Sequence, residues 1–235
     1  MTDLHNELTN GRGYAVLPIK NMNIFKKLRD SFLEKMEGFN EKEKNIDILR
    51  KKMVNMSKSE INKSMVNLLS FMDASEMMVN SCRDLVETLS GKELFIQRRA
   101  NTIFNLPGKD QRRQWPHYEL MSGISPFNYV LWAPFHDLED NGGVFYINQK
   151  KSLEIIKKEH SEGLVNGPTI LNMMHDQKPE YLKFGEVIVF NPFILHGNIN
   201  FDSGFARIAC SVRFQSSKKP LLQKNSDFLK YYKLN

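Results

Sequence analysis

The sequence is poor in cysteine, with two in 235 residues, and it holds no apolar run approaching the roughly 18 residues that cross a bilayer. Cys82, in a helical-looking stretch, and Cys210, in an apolar strand-like one, cannot build a disulfide framework or a cysteine metal site, and read as reduced buried thiols. Glycine and proline number only 13 and 9, which excludes collagen-like and low-complexity chains; 41% hydrophobic and 26% charged residues exclude a disordered one. The polar start MTDLHNELTN lacks the charged-then-apolar order of a secretory signal, so a cytoplasmic protein without membrane contact is expected. Also missing is a dense Lys/Arg block interleaved with aromatics. The formal charge of +6 comes from lysines set beside Glu and Asp, as in FKKLRDSFLEKMEGFNEKEK, the pattern of a solvated helix face, so nucleic acid is not an expected partner.

What is present divides the chain in two. The length fits one domain over 1–235, with a mainly helical part over 13–92, a strand-rich core over 93–216 and a tail over 217–235. GYAVLPI reads as a short strand from Tyr14 to Ile19, after which Phe25, Leu28, Phe32 and Met36 recur at helical spacing. Helix continues from about Glu41 to Ser90, with Ile61, Met65, Leu68, Leu69 and Met72 as an apolar stripe extended by Met77, Met78, Leu85 and Leu89. Such a stripe is expected in the core, although methionine richness also suits an adaptable binding face. From Glu93 the texture changes to short runs rich in Phe, Ile, Val and Tyr, punctuated by LPGKD, DNGG, NGP, FG and NP. Strands are expected near 94–105, 115–121, 128–135, 143–148, 186–191, 194–199 and 206–215, with helix near 151–160 and a further segment around 168–176. Helices first and short antiparallel strands after predict an α+β fold, a β-sandwich or barrel with helices outside.

Of the six histidines, His5 and His160 lie in polar surroundings and read as surface residues, and His175 as a loop residue. His117 and His196 each sit at a strand. In WPHYELM, His117 and Glu119 are two apart, so an extended segment sends both side chains to one face. FGEVIVFNPFILHGN then leads through a tight turn into His196. Two imidazoles and one carboxylate on an arc, with other positions open, are what a non-haem Fe(II) oxygenase uses. Arg207 opens the apolar strand RIACSVRF, where a guanidinium needs an anionic partner: a bound carboxylate, or an internal one such as Glu119 or Asp137. His136, Asp137 and Glu139 in FHDLED form a competing ligand set, read as a turn or rim element.

Taken together, GYAVLPI, PHYE, YVLWAPFHDLEDNGGVFYI, FGEVIVFNPFILHGN and Arg207 resemble, in order and spacing over almost the whole length, the phytanoyl-CoA dioxygenase-like branch of the Fe(II)- and 2-oxoglutarate-dependent oxygenases. The resemblance implies a double-stranded β-helix, a cupin-like jelly roll with the N-terminal helices packed on its outside. It implies iron ligands at His117, Glu119 and His196, with 2-oxoglutarate and O2 as co-substrates. Arg207 is implied as the anchor of the distal 2-oxoglutarate carboxylate and Asn198 as a polar co-substrate contact, with Asn105 and Trp132 beside them; Trp132 serves equally as core. Gln97, Arg99, Asn101 and Trp115 are candidate substrate-pocket residues. The chain departs from the branch in carrying Glu119 where aspartate is usual, and INQKKS where a proline-glycine-serine-histidine stretch is common. A carboxylate at 119 leaves no vacancy for halide, so hydroxylation with release of succinate and CO2 is the implied outcome. The expected substrate is a small molecule, anionic or sugar-like, in keeping with Arg98, Arg99, Arg112 and Arg113 and with a likeness of FHDLEDNGG to relatives in bacterial carbohydrate biosynthesis. The rival readings are a non-catalytic cupin-like metabolite-binding module and a basic scaffold acting through its helices.

Overall fold

A computed structural model describes residues 2–36, 45–107, 116–138, 143–163, 178–197, 204–222 and 228–234. An antiparallel sheet forms its centre. The strands are β1 (Tyr14–Pro18), β2 (Glu93–Gln97), β3 (Asn101–Asn105), β4 (Tyr129–Pro134), β6 (Glu186–Phe190), β8 (Arg207–Ser216) and β9 (Leu229–Lys233), in the order β1-β6-β4-β8-β2-β9, with β3 also on β8. β5 (Phe145–Tyr146) and β7 (His196–Gly197) form a second, smaller sheet. β8 organises the large sheet. One edge pairs with β4, while the other pairs with β3 over Arg207–Ser211 and with β2 over Phe214–Ser216.

The period-two alternation of these strands sorts side chains into two cores. Ile208, Cys210, Val212 and Phe214 of β8 join Leu131 and Ala133 of β4 and Val187 and Val189 of β6 against the helices. Their alternates Ala209, Val130, Trp132, Ile188 and Phe190 face the other way, toward Tyr146 of the small sheet. Helix α2 (Met22–Glu34) buries Phe25, Leu28, Phe32 and Leu33, as its spacing predicts. Helices α5 (Ala74–Ser81) and α6 (Arg83–Ser90) lie on β8. Cys82 and Cys210 are free and buried, and burial pushes both thiols up to about 12, which keeps them protonated.

Several expectations are revised. The helix expected over 41–90 is four helices among the described residues, with α3 (Ile46–Val54) and α4 (Lys58–Leu69) preceding α5 and α6. Ser57 stops any run-through by capping α4 reciprocally with Glu60. The apolar stripe is only partly core: Leu68 and Met78 are buried, whereas Met65, Leu69 and Met72 remain exposed. The polar start forms helix α1 (Thr2–Thr9), fastened by the fully buried Leu8, and the expected tail supplies β9, which pairs with β2. Of the strand expected over 115–121, the described residues 116–121 do not form one. His117 makes one isolated bridge to His196, and a 3-10 turn over Glu119–Ser122 follows, closed by Gly123 in the left-handed region at φ 72°. The INQKKS segment opens helix α7 (Gln149–Glu162), with Asn148 capping it. The segment expected around 168–176 lies outside the described residues. No described helix is long and apolar enough to cross a membrane.

Candidate metal centre and anion pocket

His117 and His196 are brought together by their backbones, each N–H donating to the other's carbonyl at 3.0 Å. The Glu119 N–H donates to the Pro192 carbonyl at 3.1 Å, which ties this residue to the turn that leads into His196. One ligand atom from each of the three residues lies within 4.8 Å of the others. The His196 tautomer follows from its partner: Nδ1 lies 2.9 Å from the Ile194 carbonyl, which can only accept, so Nδ1 carries the proton and Nε2 offers a lone pair. That Nε2 stands 3.5 Å from Glu119 Oε1. A divalent cation placed between these two atoms would satisfy both. Phe190 and Tyr146 pack on the His196 ring at 4.7 and 5.7 Å between centroids and fix its plane.

Arg213 is the participant that motif reading missed. Its Nε donates to Glu119 Oε2 at 2.6 Å and its Nη2 pairs with the same oxygen. Gln97 Oε1 accepts from both the backbone N–H and Nη1 of Arg213 at 3.2 Å, and Gln97 Nε2 donates to Asn101 Oδ1 at 2.8 Å. Burial by itself would raise the Glu119 pKa, but the charge of Arg213 beside it opposes this and the carboxyl is held below its ordinary value. The overlooked signal is parity: 207 and 213 differ by an even number, so one strand face carries both arginines.

Arg207 is 1% exposed and lies on the same cavity as the ligand cluster. It donates to the Asn105 amide oxygen at 2.8 Å and the Gly143 carbonyl at 3.1 Å, and its guanidinium stands 5.8 Å from the Trp132 ring. A Cβ at position 143 would fall 2.6 Å from Pro179, so only glycine lets this carbonyl approach. Burial lowers the guanidinium to about 10, which leaves it charged at neutral pH. The carboxylates weighed as internal partners are engaged elsewhere, Glu119 by Arg213 and Asp137 by the Phe184 N–H. The buried Tyr146 hydroxyl, on the wall of this cavity, has no hydrogen-bond partner among the described residues.

The cavity measures about 350 Å³. Asn101 and the exposed Arg99 line it, and the buried Gln97 braces Arg213. Trp132 both packs in the inner core and flanks Arg207. Trp115, Asn198, Arg112, Arg113, Glu139 and His175 lie outside the described residues. His136 is a structural residue. Its Nε2 accepts from the Ile208 N–H at 3.0 Å and its Nδ1 donates to the Asp137 carbonyl at 2.7 Å, so neither nitrogen is left for a metal.

No family model matches the sequence, and no curated protein matches it. Solved structures share the fold. EctD from S. alaskensis with bound Fe superposes with a TM-score of 0.58 at 15% identity over 94% of this chain and 79% of that one. HygX from Streptomyces hygroscopicus, with nickel and 2-oxoglutarate bound, gives 0.55 at 11% identity over 92% and 87%. The non-heme alpha-ketoglutarate-dependent epimerase SnoN from nogalamycin biosynthesis gives 0.51 at 11% identity over 92% and 84%. The fold is therefore the jelly roll of these proteins, with helices against one face of the large sheet.

Proposed function

We propose that the protein is an Fe(II)- and 2-oxoglutarate-dependent oxygenase that hydroxylates a small molecule with release of succinate and CO2. The observation that carries this reading is the convergence of His117, Glu119 and His196 on a cavity that also holds the buried, charged Arg207. The donor set fits a divalent first-row metal: two imidazoles and a carboxylate whose pKa is held below its ordinary value. The 2-oxoglutarate fit rests on a second observation, a Tyr146 hydroxyl with no hydrogen-bond partner among the described residues, in a cavity with a guanidinium, which together suit one carboxylate. Iron and 2-oxoglutarate are the groups named in the structures of EctD and HygX, and placement in the phytanoyl-CoA dioxygenase-like branch rests on the motif pattern.

Bound there, iron with 2-oxoglutarate would supply oxidising power toward a C–H bond. The chain's own residues do the positioning. His196 presents Nε2 because Ile194 takes its Nδ1 proton, and Glu119 presents Oε1 because Arg213 occupies Oε2. Arg207 holds the far carboxylate, itself aimed by Asn105 and Gly143. Anaerobic addition of Fe(II) and then 2-oxoglutarate should produce a visible metal-to-ligand charge-transfer band; folded protein without that band sinks the reading.

A further inference from the structure

Beyond its metal donors the cavity has two unlike surfaces. One is apolar. Met65, Leu68 and Leu69 of α4 fall at i, i+3 and i+4, hence on one helix face, and all three line the cavity. Leu68 anchors the helix at 9% exposure, while Met65 and Leu69 stay 40% and 55% exposed. Apolar side chains left open on a cavity wall mark a ligand contact.

The other surface is cationic. Among the described lining residues are three arginines, Arg99, Arg207 and Arg213, against one carboxylate, Glu119, an excess of two positive charges. A divalent metal raises that excess to four, and the 2-oxoglutarate dianion returns it to two. Arg207 is committed to the co-substrate and Arg213 to Glu119. Arg99 is exposed, lines the same cavity as Met65 and Leu69, and makes no ion pair with another described residue.

We propose that the substrate is a small amphiphilic anion, an apolar body packed on Met65 and Leu69 with a phosphate or carboxylate group held by Arg99. The inference rests on the oxygenase reading, since metal and co-substrate enter the charge count. A polyhydroxylated body would leave the α4 wall without an apolar partner, a neutral substrate would leave the charge uncompensated, and a cation would be repelled. The cavity is near the lower end of the size range for small-molecule sites, which suits a compact body.

Calorimetric titration of the Ni(II)- and 2-oxoglutarate-loaded protein tests this with four probes: octyl phosphate, glucose 6-phosphate, inorganic phosphate and 1-octanol. Octyl phosphate should bind at least about 10-fold tighter than each of the others, the order expected when apolar contact and charge act together. Arg99→Ala and Leu69→Ser, both at exposed positions, should each weaken it by about 10-fold or more in protein whose melting temperature is retained. Glucose 6-phosphate binding as tightly as octyl phosphate overturns the apolar body, and 1-octanol binding as tightly overturns the anion. Octyl phosphate binding that neither variant weakens places it elsewhere and overturns the site. Failure of Ni(II) and 2-oxoglutarate themselves to bind sinks the oxygenase reading, whereas their binding with no preference for octyl phosphate sinks this inference alone.

Discussion

Glutamate reaches a metal through one more rotatable bond than aspartate, and the structure removes that freedom by clamping one carboxylate oxygen. Arg213 grips Glu119 Oε2, and Gln97 in turn braces Arg213, so Oε1 is the oxygen left toward His196. Arg213→Met, of similar length and without charge, should therefore weaken divalent-metal affinity by about 10–100-fold, the usual cost of losing a partner that orients a ligand. Co(II) titration reads the effect, and an unchanged affinity would show that the clamp is dispensable. His136 predicts a pH dependence of stability. Burial first, and then the charge of Arg50, lower its pKa from 6.5 to about 4, so the folded protein keeps it neutral where the unfolded chain protonates. Its stabilising contribution is present in full above pH 6.5. It is lost as pH falls toward 4, by at most about 3 kcal/mol, because only the unfolded state takes up the proton in that window. Urea denaturation at pH 7 and pH 5 should show the loss, and His136→Gln should flatten it.

At the scale of elements, α4 matters because it carries one wall of the cavity. Ser57 and Glu60 close its first turn, the Ser57 N–H donating to Glu60 at 2.8 Å and the Glu60 N–H to the Ser57 hydroxyl at 3.3 Å. Ser57→Ala should cost about 1 kcal/mol, a drop of roughly 2–4 °C in the melting temperature of a chain this size. A scanning thermal melt checks it. The same elements show what could be read in advance. Helix α2 and the two faces of β8 follow from apolar periodicity, which tertiary packing leaves intact. β9 is hidden because in LKYYK only Leu229 is buried, with Lys230 and Tyr232 half-buried and Tyr231 and Lys233 exposed, and it becomes a strand only through pairing with β2. The 115–121 segment reads as extended, yet after one bridge to His196 the chain turns at Glu119; the exchange of hydrogen bonds with Pro192 and His196 decides this, and neither neighbour is local. His117, Glu119, His196 and Arg207 were legible as residue types at motif spacing. Arg213 was not, because inside RIACSVRF it looks like the end of an apolar run.

For the whole molecule, the arrangement links ligand binding to stability. Residues separated by up to 148 positions, Met65 and Arg213, line one cavity, so a ligand there ties distant parts of the chain together only when they are folded. Any ligand bound by the native state alone stabilises it by about 2.7 kcal/mol at 100 times its Kd. For a chain of this length that is a rise of roughly 5–11 °C in melting temperature. Two separable increments are expected, one from Ni(II), which needs Glu119, and a second from 2-oxoglutarate, which needs the Arg207 end. Tyr146→Phe distinguishes them. It removes a buried hydroxyl that has no hydrogen-bond partner among the described residues, so the ligand-free protein should melt at the same temperature or higher. The Ni(II) increment should persist in this variant, and the 2-oxoglutarate increment should shrink. Differential scanning calorimetry across the four combinations of wild type or variant and Ni(II) alone or with 2-oxoglutarate measures both. An undiminished 2-oxoglutarate increment in the variant would mean that the carboxylate is held at the cavity without Tyr146, by Arg207 and its neighbours alone.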